Sequence, residues 1–249
     1  MADDVRLQKE RERRLREREA PFGAFTLTAK THWWNMVELD NVLTRLRLPH
    51  NGHLLDAGCS DGRLIERLRE KGYNDMLCVG MDFALNPLKA MIARNMGAQA
   101  VCADTARPLF KKNTFDIGIS LQVLHHLPSH EERLLMLRSM HGALRSGGQI
   151  AVSVLNRPSW AGLVANGIDG PLLSSPELCV HLYDRQELSD DLEAAGFRVQ
   201  EILATNNLPV RYLKLLGMAG VWIDMLITRM LPSLSRRKGR YLLGLGVKR

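Results

Sequence analysis

The sequence predicts an α/β fold of the doubly wound, Rossmann-like kind, on three observations. Between His53 and Leu155 short apolar runs alternate with amphipathic stretches, the pattern of βαβ units that feed a parallel sheet covered on both faces. A glycine-bearing turn, Asp56-Ala57-Gly58-Cys59-Ser60-Asp61-Gly62, follows the first apolar run and opens directly into an amphipathic stretch. Twenty residues beyond Gly62, Asp82 closes the second run, where an acid can take both hydroxyls of a ribose. The chain is 249 residues long, enough for one large domain that needs neither disulfides nor metal to stay folded.

The elements follow in order. Residues 32–48 (HWWNMVELDNVLTRLRL) carry aromatic and aliphatic side chains at helical spacing, and Pro49, Asn51 and Gly52 end them. His53 to Asp56 reads as a strand, 62–71 as a helix, Met76 to Met81 as a strand and 87–95 as a helix. Asn86 is the expected N-cap of that last helix, with Pro87 at its first position. Ala98 to Cys102 and Phe115 to Leu121 are strands, and Ser129-x-x-Glu132 is a capping box for a helix over 131–144. Gln149 to Leu155 is a strand after Gly147-Gly148. Asp184-x-x-Glu187 caps a helix that stops at Gly196, and Phe197 to Ile202 and Tyr241 to Val247 complete the set of strands. The expected organisation is a charged arm over 1–30 and one domain over 31–249, with cap inserts at 156–183 and 204–240.

Composition excludes several classes. A hydrophobic fraction of 45% and a charged fraction of 24% belong to an ordinary globule, not a disordered or fibrous chain. Cys59, Cys78, Cys102 and Cys179 are scattered without a CxxC pair, which argues against a zinc ribbon or a disulfide scaffold and fits a reducing compartment; no metal site is expected. Residues 1–20 have no apolar core and so are no secretory signal; their alternating charges suit a solvated helix or a loose arm, and an RNA grip is the sharper reading. The most apolar window, Leu215 to Ile227, is too short to span a bilayer and is broken by Asp224, so a soluble cytoplasmic protein is expected.

The glycine turn carries the chemistry. Gly58 and Gly62 let backbone approach a ligand, and the helix that follows offers free N–H groups. The dinucleotide pattern GxGxxG fails, because Ser60 and Arg63 stand at its second and third glycine positions, so a pyrophosphate would meet side chains. The phrase LLDAGCSDGRL instead resembles motif I of class I S-adenosylmethionine (SAM)-dependent methyltransferases, of the type 11-like, UbiE-like group. The resemblance covers about residues 53–203 and extends through Asp82-Phe83, Cys102-Ala103-Asp104, FDIGIS, SLQVLHHLP and LRSGG. It implies seven strands with the last antiparallel, and SAM as cofactor, giving S-adenosylhomocysteine. It also implies a cofactor site built from Asp56, Gly58, Ser60, Gly62, Asp82, Phe83, Asp104, Thr105, Leu121 and Gln122. Asp56 would serve the sulfonium and amino end, Asp82 the ribose, Phe83 and Asp104 the adenine. Ser60 departs from the family's central glycine, and its Cβ is expected to crowd the ligand.

His125 and His126, just past the fourth strand, are the candidate catalytic bases, since an imidazole titrates near neutrality; one of the two can instead be structural. Trp33, Trp34, His181 and Tyr183 are candidates for the acceptor pocket, with Asp184 as an N-cap. Residues 206–234 are apolar nearly all round and are followed by SRRKGR. They read as a buried helical cover over the sheet edge or, more sharply, as a hydrophobic acceptor pocket or peripheral membrane contact through 206–240.

The leading expectation is a methyltransferase acting on a small, hydrophobic or amphipathic acceptor, on oxygen before carbon or nitrogen. The alternative is a tRNA- or rRNA-modifying methyltransferase, compatible with the net charge of +7 although only 6% of residues are aromatic. A third is a catalytically silent SAM-binding subunit, for which Ser60 is the sole hint. The oligomeric state is not legible.

Overall fold

A computed structural model describes residues 2–19, 32–164, 168–172 and 175–249. Two helices lead, α1 (Ala2–Glu19) and α2 (His32–Leu43). There follow β1 (His53–Ala57), α3 (Arg63–Glu70), β2 (Leu77–Asp82), α4 (Leu85–Ala93), β3 (Ala98–Cys102), β4 (Phe115–Leu121), α5 (His130–Ala143) and β5 (Leu144–Leu155). After the short α6 (Arg157–Trp160), β6 (Asp169–Leu172) and β7 (Ser175–His181) form a separate antiparallel pair. The chain closes with α7 (Arg185–Ala194), β8 (Phe197–Thr205), α8 (Val210–Leu216), α9 (Met218–Met230), α10 (Pro232–Lys238) and β9 (Tyr241–Lys248).

The main sheet has seven strands in the order β3-β2-β1-β4-β5-β9-β8. Its first five strands are parallel, and β9 runs antiparallel to both β5 and β8. This is the fold the sequence predicts, last strand included. Successive β1 residues feed opposite layers, as the period of two requires: Leu54 packs with α2, α3 and α4, and Leu55 and Ala57 pack with α5 and α7. Both faces are therefore covered, and the apolar residues of β1, Leu54, Leu55 and Ala57, are shared between them.

Six of the seven sheet strands fall within three residues of the predicted bounds; β5 instead starts at Leu144 and takes in the Gly147-Gly148 stretch expected as a turn before Gln149, and several other expectations are corrected. The helix expected over 32–48 stops at Leu43, and the chain turns there, with the Thr44 hydroxyl bonded back to the Asp40 carbonyl at 2.6 Å. Asn86 is not an N-cap: α4 starts at Leu85 and places Pro87 in the first turn, where a missing N–H costs nothing. The capping acceptors come from elsewhere. Asp82 Oδ1 takes the Ala84 N–H at 2.9 Å, and the Glu17 carboxylate of α1 takes the N–H groups of Leu85 and Asn86 at 2.7 and 2.9 Å. The described part of the arm is thus a docked helix, neither loose nor wholly solvated. Pro21 and Gly23, the punctuation read between arm and domain, lie outside the described residues.

The segment 206–234 is not a buried cover either. Met36 and Val37 of α2 meet Leu213 and Val221 in a small core, with Trp33 and Trp34 at its margin, while much of the outer face of α8 to α10 is open to solvent. Asp224, which interrupts the apolar window, points inward and is buried. It accepts from Leu208 N at 2.6 Å and Asn207 Nδ2 at 3.1 Å, tying α9 to the chain leaving β8. Among the described residues no helix is long and apolar enough to cross a membrane.

Replacing Asp224 by Ala leaves the half-buried Leu208 N–H without its acceptor and Asn207 Nδ2 with Thr228 Oγ1 alone, and the expected loss is about 1–3 kcal/mol. Urea unfolding of the two proteins measures it; a change under about 0.5 kcal/mol would show that the tie is idle.

Candidate active site

The carboxyl ends of β1 to β4 lie along one edge of the sheet, because β1 pairs in register with β2 and β4 (Asp56 opposite Gly80 and Ile119) and β2 with β3 (Asp82 opposite Cys102). The turn after β1 is lashed to the end of β2. Gly58 N and Cys59 N both donate to the Met81 carbonyl, at 2.6 and 3.0 Å, and Ser60 N donates to Asp82 Oδ2 at 2.9 Å. Gly58 has φ +85°, and a Cβ there would stand 2.1 Å from Val123 Cγ2, so only glycine fits. Ser60 has φ +50°, in the left-handed region. A glycine would take it freely, whereas the serine costs about 1–2 kcal/mol of backbone strain.

Above this turn lies a cavity of about 160 Å³, roughly ten times what a single water needs. Of the residues expected to hold a cofactor, Asp56, Gly58, Ser60, Asp82, Phe83, Asp104, Thr105, Leu121 and Gln122 all line it. Gly62 does not, and acts instead where the turn enters α3.

The electrostatics are those of an acid cluster short of cations. Burial pushes the Asp56 carboxyl up to about 7; Arg63 opposes this, and the charges of Asp82 and Asp61 add to it. Asp82 is also raised by burial, against the pull of the Ala84 and Ser60 amides. Asp104 is engaged through both oxygens, with Lys9 Nζ at 2.7 Å from Oδ2 and Ala106 N at 2.9 Å from Oδ1.

The two histidines part company. A short 3-10 turn over Leu124–His126 puts His126 on the cavity wall, while His125 is buried behind it and does not line the cavity. The rings lie 4.2 Å apart. Burial, then the charge of Arg16, push His126 down to about 3, and burial, then the charge of His126, hold His125 well below the usual imidazole range. His126 Nε2 is 3.3 Å from Arg16 Nη2; its Nδ1 lies 3.3 Å from Glu12 Oε1 without the alignment of a hydrogen bond.

The remaining candidates fall elsewhere. The Trp33 ring faces Gly217, and Trp34 stacks edge-on to Tyr241. His181 is held between Asp169 and Glu187, and the Tyr183 hydroxyl donates to Asp191 Oδ2 at 3.0 Å in the core. None of the four lines the cavity; each is consumed by packing or an ion pair. Asp184 caps α7, accepting from Glu187 N at 2.9 Å.

The sequence reading missed Lys9, Glu12 and Arg16, which close the cavity from α1. Their signal was present: positions 9, 12 and 16 fall within one narrow face of a helix. Lys9 also pairs with Glu132 of α5.

A family model described as a methyltransferase domain matches residues 34–202. A protein of Encephalitozoon cuniculi that carries a methyltransferase name is 29% identical over 187 residues, covering 70% of this chain and 82% of that protein. The tRNA (carboxymethyluridine(34)-5-O)-methyltransferase of Xenopus tropicalis is 29% identical over 133 residues, 53% of this chain and 19% of that protein, so the chain spans about a fifth of that relative's length. The crystal structure of a SAM-dependent methyltransferase from Mesorhizobium loti superposes with a TM-score of 0.62 at 17% identity, over 84% of this chain and 98% of that one.

The raised Asp56 carboxyl gives a pH signature. The folded state keeps the proton up to about pH 7 while the unfolded chain loses it near pH 4, so this group's contribution to stability falls as pH rises through that window. Asp56→Asn in the ligand-free protein is expected to gain on the wild type by about 2 kcal/mol more at about pH 8 than at about pH 5. Urea midpoints at the two pH values read it, and an equal gain at both would refute the shift.

Proposed function

The chain belongs to the SAM-dependent methyltransferases, and from that premise we propose that it holds SAM in the cavity beneath α1 and directs the methyl group to an oxygen of a small, apolar or amphipathic acceptor. The observation that carries the reading is the convergence of three strand-end acids, Asp56, Asp82 and Asp104, on one cavity, where burial raises both Asp56 and Asp82 against the opposing charges of Arg63 and Arg16. A cationic sulfonium and amino end would restore the charge of Asp56, and a ribose diol would use the lone pairs that Asp82 keeps beyond the Ser60 and Ala84 amides. Phe83 offers a ring face to adenine. Asp104 would accept from its amino group once Lys9 shares or yields the carboxylate.

SAM supplies a methyl group already activated by its sulfonium, so the chain's task is alignment and handling of the acceptor's proton. His126 is the group for that task. Held neutral by burial and Arg16, it offers its Nε2 lone pair to an acceptor hydroxyl once Arg16 moves off that nitrogen. It becomes a stronger base as Arg16 withdraws. Leu121, Val123 and Leu127 give the cavity an apolar wall beside it, which suits an acceptor with little polar surface. His125 has the role of packing behind His126.

A second reading, with a uridine of tRNA as acceptor, is favoured by the names of relatives such as the Xenopus enzyme and the tRNA U34 carboxymethyltransferase of Aliivibrio salmonicida.

Label from radioactive SAM, incubated with the protein and host-cell extract, is expected in the organic-soluble fraction. Label released by RNase installs the tRNA reading instead, and no transfer at all leaves a silent SAM-binding subunit. Asp82→Ala is expected to weaken S-adenosylhomocysteine binding by about 100-fold or more, the loss of two charge-assisted hydrogen bonds. His126→Ala is expected to lower turnover with cofactor affinity nearly intact, and full activity would remove it from the mechanism.

A further inference from the structure

We propose that the outer face of α8 to α10 is a docking surface for an anionic lipid membrane. The inference rests on the composition and exposure of that face and not on the methyl-transfer reading.

The apolar content is unusual for a surface. Leu215 is 81% exposed, Trp222 and Met230 64% each and Leu226 58%, and Ile223, Leu231 and Leu234 are also open. On α9, at 100° per residue, Met218, Trp222, Ile223, Leu226 and Met230 fall within an arc of about 140°. The opposite side of that helix carries the buried Val221, Asp224 and Thr228. A contiguous apolar face on this scale marks a binding surface.

Charge decides what binds. Between residues 206 and 240 the sequence has seven Lys and Arg and a single acid, Asp224. That acid is buried, so the described surface of the segment presents cations alone: Arg211, Lys214, Arg229, Arg236 and Lys238 are exposed. Arg229 lies inside the same α9 arc as Trp222 and Leu226. An apolar helical face with a tryptophan and basic residues beside it, too short to span, is the make-up of a helix lying in a membrane interface. A second copy docked by two-fold symmetry would bring five exposed cations against the same five with no acid between them. Nucleic acid would leave the leucines and methionines without a partner. Anionic headgroups meet the cations, and acyl chains take the apolar side chains.

The test is co-sedimentation of the full chain with phosphatidylcholine vesicles, with and without phosphatidylserine, for the wild type, Leu226→Glu and Lys214→Gln. The expected result is binding to the phosphatidylserine vesicles that weakens with salt and shifts tryptophan emission to the blue. Leu226→Glu should lose at least about tenfold in partitioning and Lys214→Gln about fivefold. Both sites are exposed, so unchanged urea midpoints control for folding. Absence of binding, or equal binding by wild type and Leu226→Glu, would overturn the proposal. So would a concentration-dependent dimer, or RNA binding without vesicle binding, that the same substitution abolishes. Failure of the protein to bind S-adenosylhomocysteine would refute the cofactor reading and leave this result standing.

Discussion

Three hydrogen bonds, from Gly58 N and Cys59 N to the Met81 carbonyl and from Ser60 N to Asp82 Oδ2, bind the turn after β1 to the end of β2. The cavity depends on that lashing. It fixes the floor at the one place where a side chain on Gly58 would strike Val123, and it orients the Asp82 carboxylate by occupying one of its oxygens from below. Parallel pairing then does the rest, since strands in register end together and carry their terminal acids to a common edge. Ser60 takes a strained conformation to serve the same tie.

Buried acids in such a place are expensive without a partner, and the molecule meets the expense from outside the sheet. Helix α1 brings Lys9 to Asp104 and Glu132, and Arg16 to Glu12 and His126, while its Glu17 caps α4. The charges that looked nearly self-cancelling along the sequence are sorted in space, with one face of the helix on the cavity and another paired within α1 through Glu10 and Arg14. Asp56 gains no direct cation from this cover, and burial keeps its carboxyl raised. A guest that carries positive charge at one end and hydroxyls in the middle complements that distribution.

The local chemistry of the turn and the order of the strands were legible in the sequence. The glycines at 58 and 62, the capping boxes at Ser129 and Asp184, and the acids at 56, 82 and 104 are short-range features whose physics is complete within a few residues. What escaped depends on distant partners. The start of α4 was misplaced because its capping carboxylate arrives from Glu17, some seventy residues away. His125 and His126 are adjacent and chemically identical, and only the 3-10 turn decides which one meets the cavity. Trp33, Trp34, His181 and Tyr183 have functional side chains that tertiary contacts spend on packing and ion pairs. The apolar 206–234 segment showed its composition in the sequence, but its exposure follows from how little of it α2 can cover.

The central claim is that the strand-end acids and α1 enclose a SAM site, and a crystal structure with S-adenosylhomocysteine tests it most directly. The ribose hydroxyls are expected on the Asp82 carboxylate, the adenine beside Phe83 with its amino group at Asp104, and Lys9 moved or shared. Ligand density away from Asp82, or an adenine that leaves the Lys9–Asp104 pair and Phe83 untouched, would contradict it.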